Sequence, residues 1–206
     1  MTAATGERPK RLVVAMTGAS GSIIGVRLLE VLRDLDVETH FVATEWAERT
    51  LRIETDYSLD QVRALATHSY QPDNQAARIS SGSFTTDGMV VAPCSMHTLA
   101  VLANGLADNL VARAFDVAMK ERRRCVIVPR ETPFSTLHLR HLLTLSELGV
   151  TVVPPVPAFY NKPSAITEVV DHVVARVLDQ FGIDAALTQR WGEPRIHAVP
   201  PLAPRR

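Results

Sequence analysis

The sequence predicts a single α/β domain built on a doubly wound, mostly parallel sheet. Three observations carry that expectation. Apolar runs of strand length alternate with amphipathic runs of helix length, the pattern of successive βα units. The strand-length runs are rich in valine and isoleucine and nearly unbroken in apolar character, as strands covered on both faces are. And 206 residues with 46% hydrophobic content suit one domain with a full core.

In chain order, "LVVAM" gives a first strand at Leu12–Met16, and a glycine-bearing turn leads into a helix at Ser22–Asp34. "ETHFVA" gives a second strand at Glu38–Ala43, followed by helices at Trp46–Glu54 and Ser58–Leu65. The small-residue segment Ser80–Thr86 ("SSGSFTT") reads as a mobile loop before a third strand at Gly88–Ala92. Helices follow at Thr98–Ala103 and Asp108–Arg122, then a fourth strand at Cys125–Val128. A helix at Thr136–Leu148, a fifth strand at Val150–Val153 and a helix at Ser164–Phe181 complete the pattern. That last helix carries an apolar stripe of Val170, Val173, Val174 and Val177. Residues 1–10 are expected to be disordered, 11–189 to form the domain, and 190–206, with four prolines, to be disordered or to pack on a neighbouring subunit.

Composition narrows the function. Lysine plus arginine equals aspartate plus glutamate at 22 each, so bulk charge points to neither a nucleic acid nor a membrane. No apolar run approaches bilayer length, and the start "MTAATGERPKRL" lacks the apolar core of a secretion signal. Two cysteines, Cys94 and Cys125, both in apolar strand contexts, fit reduced thiols in a cytoplasm better than a disulfide framework.

In open α/β sheets, ligands bind beyond the carboxyl ends of the strands. After the first strand come Thr17, Gly18, Ala19, Ser20 and Gly21; after the second, Thr44 and Glu45. Pro93, Cys94, Ser95, Met96, His97 and Thr98 follow the third, and Pro129, Arg130 and Glu131 the fourth. The fifth is followed by "PPVPAFYNKP", with Tyr160 and Lys162. Hydroxyls, a guanidinium, a carboxylate and a phenol therefore converge on one rim.

The first turn places glycines at 18, 21 and 25, which is not the GxGxxG dinucleotide fingerprint. Glycine still admits close backbone approach, and the helix start offers free N–H groups to a phosphate. The alternative is a plain cap by Ser20 or Ser22, with tight packing at Gly25. A dinucleotide would want an acid closing the second strand; Thr44 stands there, which weakens NAD. "PCSMHTLA" is a second turn suited to anions, with Ser95 and Thr98 at a helix start. Cys94 reads as a nucleophile beside a helix N-terminus or, by preference, as a buried apolar residue. His97 is a candidate base or a loop residue.

In "NLVARAFDVAMKERRR", Arg113 and Lys120 are seven residues apart and share a helix face with Val117 between them. That face is either solvated or an anion site, and Arg122–Arg124 are expected at the helix end, where cations suit the dipole. Glu54 taken alone is a surface acid. Arg176 lies at the edge of its helix's apolar stripe or, if buried, pairs with an anion.

Several stretches, in order, carry a resemblance: "MTGASG", "ETDYS", "SGSF", "PCSMHTLA", "ADNLVARAFDVAMKERR", "VPRETPFSTLHL", "PAFYNKP" and "RWGE". Over Leu12 to Glu193 the chain resembles the UbiX-type flavin prenyltransferases, including those encoded beside aromatic acid decarboxylases. The resemblance implies a flavodoxin-like, Rossmann-like sheet that binds FMN. It also implies a metal-free reaction joining a dimethylallyl group to N5 and C6 of reduced FMN, giving prenylated FMN for a UbiD-type decarboxylase. Gly18, Ala19, Ser20, Thr44, Ser95, Met96, His97, Thr98 and Arg130 would hold FMN. Lys120, Arg130, Glu131, Tyr160 and Arg176 would hold dimethylallyl phosphate, with Ser20, Glu54 and Arg113 near the flavin edge being alkylated. It further implies a homo-oligomer, trimers assembled into a dodecamer, with sites at subunit boundaries where Trp191 would also lie.

These residue types suit that chemistry. Positive charge from Lys120, Arg130 and Arg176, with the Tyr160 hydroxyl, would stabilise the departing phosphate, and no aspartate-rich magnesium motif is present. Glu54 is expected to handle protons through a pKa raised in a closed pocket, and Glu131 to orient Lys120. The rival reading is a non-catalytic carrier of FMN or prenylated FMN for a decarboxylase. A cysteine decarboxylase of the same fold ranks lower, because its Pro-Ala-Ser-Ala-Asn-Thr stretch is missing.

Overall fold

The structure is a computed structural model that describes residues 8–192; the expectations for residues 1–7 and 193–206 lie outside the described residues. One six-stranded, wholly parallel sheet holds β1 (Arg11–Met16), β2 (Glu38–Ala43), β3 (His68–Tyr70), β4 (Gly88–Cys94), β5 (Arg124–Pro129) and β6 (Thr151–Val152). Their order is β3-β2-β1-β4-β5-β6, so the chain winds outward from β1 in both directions. The helices are α1 (Ser22–Asp34), α2 (Glu45–Glu54), α3 (Leu59–Arg63), α4 (Met96–Ala103), α5 (Leu110–Lys120), α6 (Thr136–Glu147) and α7 (Ile166–Asp179).

Alternation along each strand divides the core in two. Leu12, Val14 and Met16 of β1, with Val90 of β4 and Val126 of β5, meet α1 and α7 on one face. Val13 and Ala15, with Met89, Val91 and Ile127, meet α4 and α5 on the other. Gly25 sets the height of α1 over the sheet. A Cβ there would lie 2.5 Å from the Ala92 carbonyl oxygen and 2.8 Å from the Met16 side chain.

The strand missed in the sequence is β3. Its three residues, His-Ser-Tyr, contain no apolar run, and pairing with β2 makes it a strand. Reciprocal bonds between Thr39 and Thr67 lead into it, each backbone N–H donating to the other residue's hydroxyl at 3.1 and 3.0 Å. Helix α4 begins at Met96, two residues earlier than expected, because the Ser95 hydroxyl caps it by accepting the Thr98 N–H at 3.2 Å.

Two further expectations are corrected. The disorder assigned to residues 1–10 does not extend to Arg8–Lys10: Arg8 donates to both Asp87 carboxylate oxygens at 2.8 and 3.1 Å, and the Lys10 ammonium bonds the Phe181 carbonyl. The Ser80–Thr86 segment, expected as a free loop, is tied at two points, with Arg123 donating to the Gly82 and Phe84 carbonyls at 2.6 and 2.8 Å. Arg122–Arg124 therefore do not extend α5. Arg122 turns left-handed with φ 56°, Arg123 fastens the loop, and Arg124 opens β5. Among the described residues, no helix is long and apolar enough to cross a membrane.

Candidate active site

Strand order reverses at β1, between β2 and β4, and a crevice opens there beyond the strand ends. It is a cavity of about 710 Å³, lined from six segments of the chain. Gly18, Ala19 and Ser20 come from the turn after β1, and Thr44, Glu45 and Trp46 from the start of α2. Ser95, Met96, His97 and Thr98 come from the start of α4, and Arg130 and Glu131 from the end of β5. Every residue assigned to FMN in the sequence thus meets at one site. The lining also includes Trp46, Pro72 and Asn109, which sequence reasoning missed. Pro72 follows the unrecognised β3 and accepts the Leu110 N–H at 2.7 Å, which brings the start of α5, and its cap Asn109, to the wall.

The wall is tied together beneath the cavity. The Thr17 hydroxyl donates to the Pro93 carbonyl at 2.9 Å and accepts the Ser95 N–H at 2.8 Å, joining the ends of β1 and β4. Ser95 Oγ also donates to Thr98 Oγ1 at 3.0 Å, and Thr44 Oγ1 caps α2 by accepting the Ala47 N–H at 3.2 Å. Two helix starts, of α2 and α4, therefore stand at the wall with their positive ends, beside the Arg130 guanidinium. This donor set fits a phosphate-bearing flavin.

The first turn behaves differently from expectation. Gly21 takes the N-cap of α1 with φ 102° and offers no capping side chain. The Glu54 carboxylate supplies the cap instead, accepting the Gly21 and Ser22 N–H groups, both at 2.9 Å. Free N–H groups at the start of α1 are thus committed to a carboxylate of the same chain rather than left for a phosphate. The raised pKa expected for Glu54 is corrected as well. Burial pushes it up, but bonds from the Ser20 side chain and from Ser22 and Gly21 outweigh burial and hold it below the usual carboxylate value. Ser20 therefore stands between the cavity and Glu54.

Cys94 is the buried residue preferred for it. Burial pushes its thiol up to about 12, so it is no nucleophile at neutral pH, and the same holds for Cys125.

The remaining candidates lie outside this cavity. Arg113 donates to the Ser80 carbonyl at 3.2 Å and to Asp116 at 2.8 Å. Lys120 pairs with Glu121 rather than with Glu131, whose carboxylate accepts the Thr132 N–H at 3.0 Å. The expectation that Glu131 orients Lys120 does not hold within one chain, because the neighbouring Glu121 captures the ammonium. Tyr160, 49% exposed, sets its ring edge-on to His172 and Trp191 at 6.2 and 5.1 Å. Arg176 pairs with Asp179 at 2.6 Å and lines a shallow groove beside β6 that also includes His172. It lies at the edge of the α7 stripe, its side chain 52% exposed. One chain therefore gathers Arg130 and Glu131 at the cavity, while Lys120, Tyr160 and Arg176 stand on other surfaces.

Comparison with known proteins places the chain. A family model described as Flavoprotein matches residues 2–178. A probable UbiX-like flavin prenyltransferase of Streptomyces sp. (strain D7) is 58% identical over 182 residues, 88% of this chain and 91% of that protein. A crystal structure of AnUbiX in complex with FMN and dimethylallyl pyrophosphate superposes with a TM-score of 0.89 at 49% identity, covering 91% of this chain and all of the other. A dodecameric FMN-dependent UbiX-like decarboxylase from Escherichia coli O157:H7 superposes at 0.88 with 55% identity, covering 89% of this chain and all of that one. With fold, cavity and sequence in agreement, the chain belongs to the flavoprotein family and, within it, to the UbiX-like flavin prenyltransferases.

Proposed function

We propose that this chain transfers a dimethylallyl group from dimethylallyl phosphate to N5 and C6 of reduced FMN, producing prenylated FMN. The observation that carries this reading is the single cavity at the strand-order reversal, where two helix starts and Arg130 face one space. Reduced flavin supplies the nucleophile. The chain supplies binding, charge and proton handling. Thr44, Ser95, Thr98 and the α2 and α4 starts hold the flavin phosphate, and Gly18 and Ala19 line the same space, with Trp46 packed against Gly18. Arg130 and Glu131 mark where the donor meets the flavin.

Glu54 is ionised at neutral pH, so it accepts a proton rather than giving one, and it reaches the cavity through the Ser20 hydroxyl. Arg113 orders the segment beside the site by holding the Ser80 carbonyl. The departing phosphate needs cations and hydrogen-bond donors: Arg130 stands at the cavity, and Lys120 and Arg176 add charge and Tyr160 a hydroxyl once neighbouring subunits bring these surfaces against it. Their exposure in the lone chain and the dodecameric relative both support a homo-oligomer with shared sites, trimers within a dodecamer. The product passes to a UbiD-type decarboxylase. Two buried, free cysteines suit a reducing compartment, the cytoplasm.

The test is direct. Incubation with reduced FMN and dimethylallyl phosphate or diphosphate should raise the mass of the bound flavin by one prenyl unit. A flavin of unchanged mass with both donors would sink the proposal. The absence of Lys120, Tyr160 and Arg176 from the cavity of a single chain favours one rival, a flavin carrier without chemistry. Lys120→Ala separates the two: a carrier keeps its support of the decarboxylase, whereas the transferase loses it.

A further inference from the structure

We propose that Glu38, His40 and His68 form a site for one divalent transition-metal ion of the zinc type, at the amino end of the sheet and away from the cavity. The parallel register pairs His40 of β2 directly with His68 of β3. Glu38 lies two residues before His40 and so shares its face of the strand. The three side chains converge: one ligand atom from each lies within 4.8 Å of the others. Glu38 Oε1 is 3.0 Å from His40 Nε2 and 3.9 Å from His68 Nε2.

Those separations match what an ion would ask. Nitrogen and oxygen ligands at about 2.0–2.1 Å around a tetrahedral ion stand roughly 3.3 Å from one another. The two distances bracket that value; the His40 and His68 rings are stacked with centroids 4.8 Å apart, so the partly exposed His68 ring must swing for its nitrogen to meet the same ion. Two His and one carboxylate leave a fourth position for water. The orientation is already fixed: His40 Nδ1 bonds the Tyr70 hydroxyl at 2.8 Å, which turns Nε2 toward Glu38. The Phe84 ring, edge-on at 5.0 Å, shields His40, while the His68 side chain, 41% exposed, leaves a way in.

One group competes. Arg11 Nε lies 2.8 Å from the same Glu38 oxygen. Arg11 has two other holds, a bond to the Thr85 carbonyl at 2.9 Å and the Phe84 ring face at 4.6 Å, so an arriving ion displaces one contact of three. Bound metal would staple the three-residue edge strand β3 to β2, where backbone pairing alone is short.

The experiment uses the full chain after chelator treatment, titrated with Co²⁺ and Zn²⁺ alone. Expected are one equivalent of saturable binding per chain, visible Co²⁺ bands of tetrahedral intensity, and a thermal midpoint raised by Zn²⁺. His68→Ala, at a partly exposed position, should fold and bind at least tenfold more weakly, as should Glu38→Gln. Arg11→Gln, which removes the competing cation, should bind more tightly. No saturable binding, or binding of unchanged strength in both His68→Ala and Glu38→Gln, would overturn the proposal.

Discussion

The Glu54 carboxylate, at the end of α2, accepts the Ser22 N–H that opens α1 at 2.9 Å, so one helix is capped by the last residue of the next. This places a charge at a helix N-terminus next to the candidate site, and it makes Glu54 serve the fold before it serves any reaction. The folded pKa lies below the ordinary carboxylate value of 4.5. Stability from this contact is therefore fully present above that value and lost as pH falls through the lowered one. Glu54→Gln should cost roughly 1 kcal/mol at pH 7, a capping-scale loss after solvent screening. The gap to the parent chain should shrink toward pH 3 in urea denaturation. A constant gap across that range would mean the charge contributes nothing to the cap.

Gly25 has no room for a methyl group. Gly25→Ala would drive a Cβ to 2.5 Å from the Ala92 carbonyl, a backbone atom that cannot swing aside. Lifting α1 off β1 and β4 should cost about 1–3 kcal/mol. Thermal unfolding should show a lowered midpoint, and FMN affinity should fall with it, because the turn after β1 lines the cavity.

Arg123 is the fastening of the Ser80–Phe84 segment, through the Gly82 and Phe84 carbonyls. Arg123→Ala should leave the sheet intact and release that segment. Hydrogen exchange should report it: amides from Ser81 to Phe84 exchange at least tenfold faster, while those of β4 stay protected. Equal protection in both proteins would show that other contacts hold the loop.

What was readable in the sequence follows from which interactions are local. Strands β1, β4 and β5 declare themselves by nearly continuous apolar runs and β2 by its apolar second half, and the rule that ligands gather after strand ends then places Gly18, Thr44, Ser95 and Arg130 at one cavity. β3 does not declare itself, because His68-Ser69-Tyr70 is a strand only by virtue of its neighbour. Pro72 at the cavity wall and the pairing of His40 with His68 were hidden for the same reason. The lowered pKa of Glu54 depends on N–H groups more than thirty positions earlier in the chain, which no local pattern announces. Residue types could be chosen for Lys120, Tyr160 and Arg176, but their places on surfaces away from the cavity of their own chain could not.

Those separate surfaces lead to the last prediction. Arg176 and Tyr160 are exposed and lie away from the cavity of their own chain, so variants at either position should leave flavin binding nearly untouched. If they act on a neighbouring cavity, they meet the donor phosphate as it departs, where loss of one cationic or hydroxyl contact costs about 2.7–4 kcal/mol of transition-state stabilisation. Arg176→Ala and Tyr160→Phe should therefore keep their FMN dissociation constants within twofold while kcat/KM for dimethylallyl phosphate drops roughly a hundredfold or more. Mixing Arg176→Ala subunits with subunits inactive through Ser95→Trp, which blocks the cavity, gives a further check. Each defect then lies on a different chain, so mixed assemblies should regain activity if the site is shared. If the mixture stays as inactive as its parents, Arg176 acts within its own chain and the shared-site reading falls.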